Sequence, residues 1–271
     1  MTLETQTPSA LSGYVKDFLI QFKDEKGNFR YVDEIDNMMP TNSKFINVDY
    51  NDLVTHPDIE SVFNENPDSI LEAFSRAIKE ILQERFPKYA KKIEHEIRAR
   101  IANYPVQRSL RQINAEVIGK MTSVSGMVLR ASEVKPLAKE LVFVCDEGHQ
   151  TGQLLGHNMT LPPPSQCENP KCNHRELKPE PQSSRFIDVQ FVRLQELPED
   201  LPPGQLPHYL DVTVKQDLVD NARPGDRVVL TGIVRIEQEK MSGVSKSESP
   251  LYRLRLDGNN VEFLGSKMDK K

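Results

Sequence analysis

The sequence predicts an α+β chain that is mainly β in its second part. A helical bundle comes first, followed by a small antiparallel barrel interrupted by a cysteine-bearing insertion. Three observations carry this expectation. Apolar residues recur at helical spacing up to about residue 101 and alternate at strand spacing from about residue 121 onward. All three cysteines fall between positions 145 and 172, inside the β part.

In the front part, Leu11, Tyr14, Val15, Phe18, Leu19 and Phe22 mark one face of a helix, which Gly27 and Asn28 break. Phe45, Ile46 and Val48 read as a strand, with Asp49 placed to cap a brief helix after it. Pro57 and Pro67 stand where first helical turns begin, since proline lacks only an N–H that such a turn leaves unpaired. Ile70, Leu71, Phe74, Ala77, Ile78, Ile81 and Leu82 define an amphipathic helix that Pro87 ends, and Tyr89, Ile93, Ile97 and Ile101 predict another.

The β part opens with Met121 to Arg130, then Leu141 to Cys145 and Gln150 to Leu155 around a first turn. Pro162 to Pro164 and Pro179 to Pro181 bound a second turn, and Phe186 to Leu194 resumes a long strand. Leu210, Val212 and Val214 alternate, Val228 to Val234 is a buried run, and Leu254 and Leu256 alternate again. Five such strands suggest an OB-type barrel, a common platform for single-stranded nucleic acid. The expected division is 1–107 helical, 108–140 with 183–266 barrel, and 141–182 inserted module, with a hairpin over about 234–256.

Cys145-Asp-Glu-Gly-His149 and Cys167-Glu-Asn-Pro-Lys-Cys172 bring three sulfurs and an imidazole as two close pairs, each able to sit on one tight turn. Thiolates and imidazole suit zinc, a d10 ion with little geometric demand of its own. His157 and His174 compete for the fourth place, and His149 is preferred because Cys145/His149 mirrors Cys167/Cys172. Four good ligands leave no open position, so the expected zinc is structural rather than catalytic.

No apolar run is long enough to span a membrane, and the first residues lack a basic-then-apolar signal pattern. The chain is therefore expected to be soluble and intracellular. The net charge of −5 hides an asymmetry, because residues 98–139 carry 8 basic and 2 acidic side chains while residues 1–97 carry 11 and 18. A basic stretch in an acidic protein points to a polyanionic partner. Lys240 and Lys246 lie at the tip of the expected hairpin, where they would meet phosphates.

Several phrases are more specific. Pro203-Gly-Gln-Leu-Pro207 follows Leu194-Gln-Glu196 and Pro198-Glu-Asp200, and Asp217-Leu-Val-Asp-Asn-Ala-Arg-Pro-Gly-Asp-Arg227 runs into Val-Val-Leu-Thr-Gly-Ile-Val234. With Ser125-Gly-Met-Val-Leu-Arg130 and the Cys/His module, they resemble the N-terminal region of minichromosome maintenance (MCM) replicative helicases, nearest the archaeal branch.

The resemblance implies a helical subdomain, an OB-fold and an inserted zinc subdomain that assemble as a hexamer or double hexamer with DNA, single- or double-stranded, in a central channel. It implies Cys145, His149, Cys167 and Cys172 as zinc ligands. It places Lys240 and Lys246 in a channel hairpin, and Arg130, Lys135, Arg193 and His208 on the DNA-facing surface. Asp217, Asp220, Arg223, Asp226 and Arg227 would form a loop communicating with an ATPase domain. His208 stands where relatives often carry arginine, and Leu197 where a basic residue is frequent, which weakens the cationic surface there.

The sequence has no Gly-x-x-x-x-Gly-Lys-Ser/Thr phosphate loop, since Gly119-Lys120 is followed by Met121. The expectation is thus a non-enzymatic piece of an ATP-dependent helicase, whose ATP and magnesium belong to a motor outside it. It would be cytoplasmic, nucleoid-associated and archaeal, with other replication proteins as possible partners. The alternative expectation is mainly an assembly module for ring and double-ring contacts, with little DNA affinity of its own.

Overall fold

The computed structural model describes residues 8–155, 164–172, 174–238 and 251–264. The front part contains helices α1 (Pro8–Gln21), α2 (Arg30–Thr41), α3 (Tyr50–Val54), α4 (Pro57–Glu65), α5 (Pro67–Arg85) and α6 (Pro87–Ile93). Prolines open α4, α5 and α6 at their first turns. Asp49 caps α3 by accepting from the Asn51 amide, and Asn66 caps α5 through Ser69. The inward faces predicted for α1 and α5 are buried, with Val15, Phe18, Leu19, Phe74, Ile78 and Leu82 all in one core.

One expectation for this part is corrected. The last predicted helix ends at Ile93, and Ile101 lies instead in a strand, β2 (Arg98–Ala102). That strand pairs in parallel with β1 (Phe45–Asp49), Phe45 opposite Arg98 and Asp49 opposite Ala102, so the front is a helical layer around a two-stranded sheet. Ile93, Ile97 and Ile101 suit a helix by spacing alone. A partner strand about fifty residues away supplies hydrogen bonds that local periodicity cannot anticipate.

The β part comprises β3 (Gln107–Arg108), β4 (Met121–Ala131), β5 (Lys135–Val144), β6 (Gln150–Leu154), β7 (Lys178–Gln195), β8 (Tyr209–Lys215), β9 (Arg227–Gln238) and β10 (Tyr252–Phe263). The strand order is β3-β4-β9-β10-β8-β7-β5-β6, and an additional β4–β7 pairing closes β4, β9, β10, β8 and β7 into a five-stranded barrel. Val124, Val128, Val192, Leu194, Leu210, Val212, Val214, Leu230, Val234 and Leu256 fill it. The barrel is not wholly antiparallel as expected. β8 and β10 run parallel, Arg255 beside Asp211, because the closing strands come from separate hairpins. β9 and β10 form the stem of the expected hairpin, Tyr252 opposite Gln238, and its tip lies outside the described residues.

β7 also begins earlier than predicted. Pro179 lies within it, opposite Phe143, rather than ending the second turn. At Gly232, a Cβ would sit 2.4 Å from the Asp257 carbonyl oxygen, so only glycine lets β9 approach β10 where the register shifts.

The front and the barrel are joined by buried polar contacts. Asn259 on β10 accepts from the Ile101 amide at 2.7 Å and donates to the Ala99 carbonyl at 3.0 Å. Arg100 donates to the Asn259 carbonyl at 3.0 Å and pairs with Asp217. Arg235 on β9 grips Asp68 at the start of α5 with two nitrogens. Met121 and Ile233 from the barrel belong to the core of the front. Asn259→Ala strands a buried N–H and a buried C=O together. It is expected to cost about 2–4 kcal/mol in urea unfolding, whereas Asn260→Ala, on the next and less buried side chain, is expected to cost far less.

Candidate metal centre and nucleic-acid face

β5 ends at Val144 and delivers Cys145 into a tight turn, where the Gly148 amide bonds the Cys145 carbonyl at 2.9 Å and the Cys145 amide bonds the His149 carbonyl at 3.1 Å. Gly148 has φ +82°, a conformation that L side chains rarely adopt. The second turn is built alike, with the Cys172 amide on the Asn169 carbonyl at 2.9 Å and the Cys167 amide on the His174 carbonyl at 3.0 Å. Each candidate ligand pair is local, and the fold supplies only the approach of the two turns.

The donor atoms of Cys145, His149, Cys167 and Cys172 all lie within 4.8 Å of one another, with the sulfurs buried and no disulfide among them. An ion about 2.3 Å from sulfur and about 2.0 Å from nitrogen at tetrahedral angles places sulfurs about 3.8 Å apart, and sulfur and nitrogen about 3.5 Å apart. Cys145 and Cys172 sulfurs are 3.9 Å apart, and Cys145 Sγ stands 3.5 Å from His149 Nδ1. The four residues therefore fit a metal ion.

His174 Nδ1 lies 3.3 Å from Cys172 Sγ but groups with Cys172 and Glu147 rather than with the four. His157 lies outside the described residues. Burial alone would raise the Cys145 thiol, yet hydrogen bonds from the backbone at His149 and Glu147 bring it down to about 7. A backbone hydrogen bond at His174 works to lower Cys172, but burial with Cys167 and Cys145 pushes it up to about 11. Such a pair shares one easily lost proton and one tightly held, both of which a bound cation displaces.

The proposed DNA-facing residues have unequal surroundings. Arg130 on β4 stands opposite Arg193 on β7, and Lys135 opens β5 opposite Val189. Arg130 and Lys135 are exposed, with no carboxylate in ion-pair range among the described residues. Arg193 instead pairs with Asp211 through two hydrogen bonds of 2.6 and 2.7 Å, which hold its guanidinium above its ordinary range. The exposed His208 is placed by its backbone, which exchanges hydrogen bonds with Glu196. Lys240 and Lys246 lie outside the described residues.

In the loop from 217, Asp217 binds Arg100, Asp220 accepts from Gln190 at 3.0 Å, Asp226 accepts from the Arg223 amide at 2.8 Å, and Arg227 pairs with Glu199 at 2.7 Å. Asp217 is thus part of the joint to the front, a role the sequence reading did not anticipate.

The sequence reading also missed Arg111, which forks onto the buried Glu196 at 2.8 and 3.0 Å and reaches Gln205, fixing the proline-rich 203–207 motif. It missed the exposed Phe191 and Tyr209 as well. These share the outer barrel face with Arg193, because residues two apart on a strand point the same way. The alternating pattern was visible, but the strand pairing that gathers these side chains was not.

A test of the centre uses cobalt(II) added to chain stripped of metal. Tetrahedral ligand-field bands with thiolate charge transfer are expected, weakened by His149→Ala and unchanged by His174→Ala.

Among the described residues no helix is long and apolar enough to cross a membrane. Two family models match the chain, an MCM N-terminal domain over residues 14–103 and an MCM OB domain over residues 109–238. The chain is 36% identical over 193 residues to the DNA replication licensing factor MCM4 of Drosophila melanogaster, covering 70% of this chain and 22% of that protein. It is 26% identical over 261 residues to the minichromosome maintenance protein MCM of Saccharolobus solfataricus, covering 94% of this chain and 37% of that one. It is 29% identical over 243 residues to the DNA helicase MCM8 of Gallus gallus, covering 79% of this chain and 29% of that one. The chain thus spans little more than a third, at most, of the length of these relatives. With both family models falling in order on the helical front and the barrel, the chain belongs to the MCM family and carries its N-terminal and OB domains.

Proposed function

We propose that the chain is the DNA-binding, ring-forming collar of a replicative MCM helicase. On this reading 1–107 is the helical subdomain, 108–140 with 183–266 the OB-fold, and 141–182 a subdomain braced by structural zinc. The observation that carries the DNA reading is the outer barrel face, where unpaired Arg130 stands opposite Arg193 near the exposed rings of Phe191 and Tyr209, with unpaired Lys135 on the adjoining β5 opposite Val189. Cations there would neutralise phosphates without reading sequence, and the rings offer stacking surfaces for unpaired bases. Lys240 and Lys246 would add contacts from the hairpin tip, and the 217–227 loop would relay occupancy to an ATPase domain. Three sulfurs and one nitrogen at tetrahedral separations favour zinc over harder ions. The archaeal expectation is not supported, since the MCM4 of Drosophila melanogaster is 36% identical to the chain and the Saccharolobus protein 26%.

Fluorescent single-strand titrations at rising salt test this. Log affinity should fall linearly with log salt, and Arg130→Ala with Lys135→Ala should flatten the slope by about 0.7 for each contact removed. Binding indifferent to salt, or an unchanged slope in the double variant, would remove the barrel face from the account.

A further inference from the structure

A second cationic cluster lies where the front meets the base of β5. Arg98, at the start of β2, donates to the Ile97 carbonyl at 2.7 Å, and Lys139, in β5, donates to the His95 carbonyl. The two carbonyls are two residues apart, so one turn of backbone draws both positive groups together. Both side chains are half-buried. Neither has a carboxylate within ion-pair distance among the described residues.

The nearby acids are engaged elsewhere. Asp217 pairs with Arg100, Asp257 with Lys215, Glu96 with Lys44, Glu94 with Lys79, and Glu140 with Arg185 at 3.5 Å. Arg185, itself exposed and opposite Glu140 in the β5–β7 pairing, adds a third positive group, and His95 stands beside it. Burial pushes the Lys139 ammonium down to about 8, and the Arg98 charge adds to that. Burial likewise lowers Arg98, with Arg100 contributing. Two half-buried cations on one turn hydrogen-bond to neutral carbonyls while the carboxylates around them pair with other cations, an arrangement that a bound anion relieves.

We propose that Arg98 and Lys139, flanked by Arg185, form an oxyanion site for a phosphate group at the junction of the front and β5, apart from the barrel face. Arg98 offers a planar fork of donors and Lys139 a point charge, a combination suited to a tetrahedral oxyanion. The phosphate is either a free ion or a phosphodiester of bound DNA, and the two sources share this chemistry. The site does not depend on the barrel face, so it stands or falls separately from the proposed function.

Thermal unfolding of the metal-loaded chain tests it, in inorganic phosphate against chloride at equal ionic strength. At about ten times the dissociation constant, phosphate should raise the midpoint by roughly 3 °C. The paired Arg98→Gln and Lys139→Met substitutions should abolish the site's share while keeping the general salting effect of phosphate. Lys139→Arg, which keeps the charge, should retain the increment and guards against a folding defect in the paired variant. If free phosphate gives no increment but the paired variant binds a short DNA duplex or single strand several-fold more weakly, the source is the phosphodiester. Equal phosphate increments in parent and paired variant, together with equal DNA affinity, overturn the proposal.

Discussion

The architecture depends on one long strand. β7 runs from Lys178 to Gln195 without a break. Its first residues pair with β5 beside the cysteine turns, Lys178 opposite Val144. Its last residues close the barrel against β4 and β8, Gln195 opposite both Met127 and Tyr209. The cysteine-bearing module is therefore mounted on the barrel by continuous backbone rather than hung from it by a linker. The β5–β7 register shifts twice, with an extra β5 residue between Ala138 and Glu140 and extra β7 residues between Glu180 and Arg185. A metal ion closing the two turns would stiffen the far end of that same ribbon.

The front is fastened by a different kind of contact. The Arg100–Asp217 pair is almost wholly buried on the arginine side, and burying charges costs desolvation that pairing only partly returns. Its worth lies in geometry. Arg100 also binds the Asn259 carbonyl, and Asn259 in turn satisfies the backbone of β2, so only one seating of the front on the barrel pairs all of these groups. The Arg235–Asp68 fork adds a second fixed point, with α5 in place of β2. Apolar packing around Met121 and Ile233 supplies stabilising area that would tolerate several seatings, and the polar contacts select among them.

What the sequence revealed follows from how local each signal is. The Cys/His cluster that could hold a metal was legible because each pair sits within one turn, so spacing alone announces it. The helices α1 and α5 were legible because one stripe faces one core. The β1–β2 pairing was not, because Phe45 and Arg98 meet across half the front and Ile97 and Ile101 happen to fit a helical period. The DNA-face prediction was limited in the same way. Arg193 reads as a free cation until Asp211 is found beside it at 2.6 Å, and Arg98 and Lys139 are unremarkable until one turn brings them together.

The account joins three claims: a barrel braced by metal, a cationic face for phosphates, and copies gathered around a nucleic acid. Assembly is the one that links the others, because a channel exists only if copies close into a ring. Light scattering of the metal-loaded chain with and without a single-stranded oligonucleotide measures it most directly. The account predicts a mass that is a fixed multiple of the 30.9 kDa chain, with the oligonucleotide bound to that species. A chain that stays at its monomer mass under both conditions, metal-loaded and folded, would contradict it.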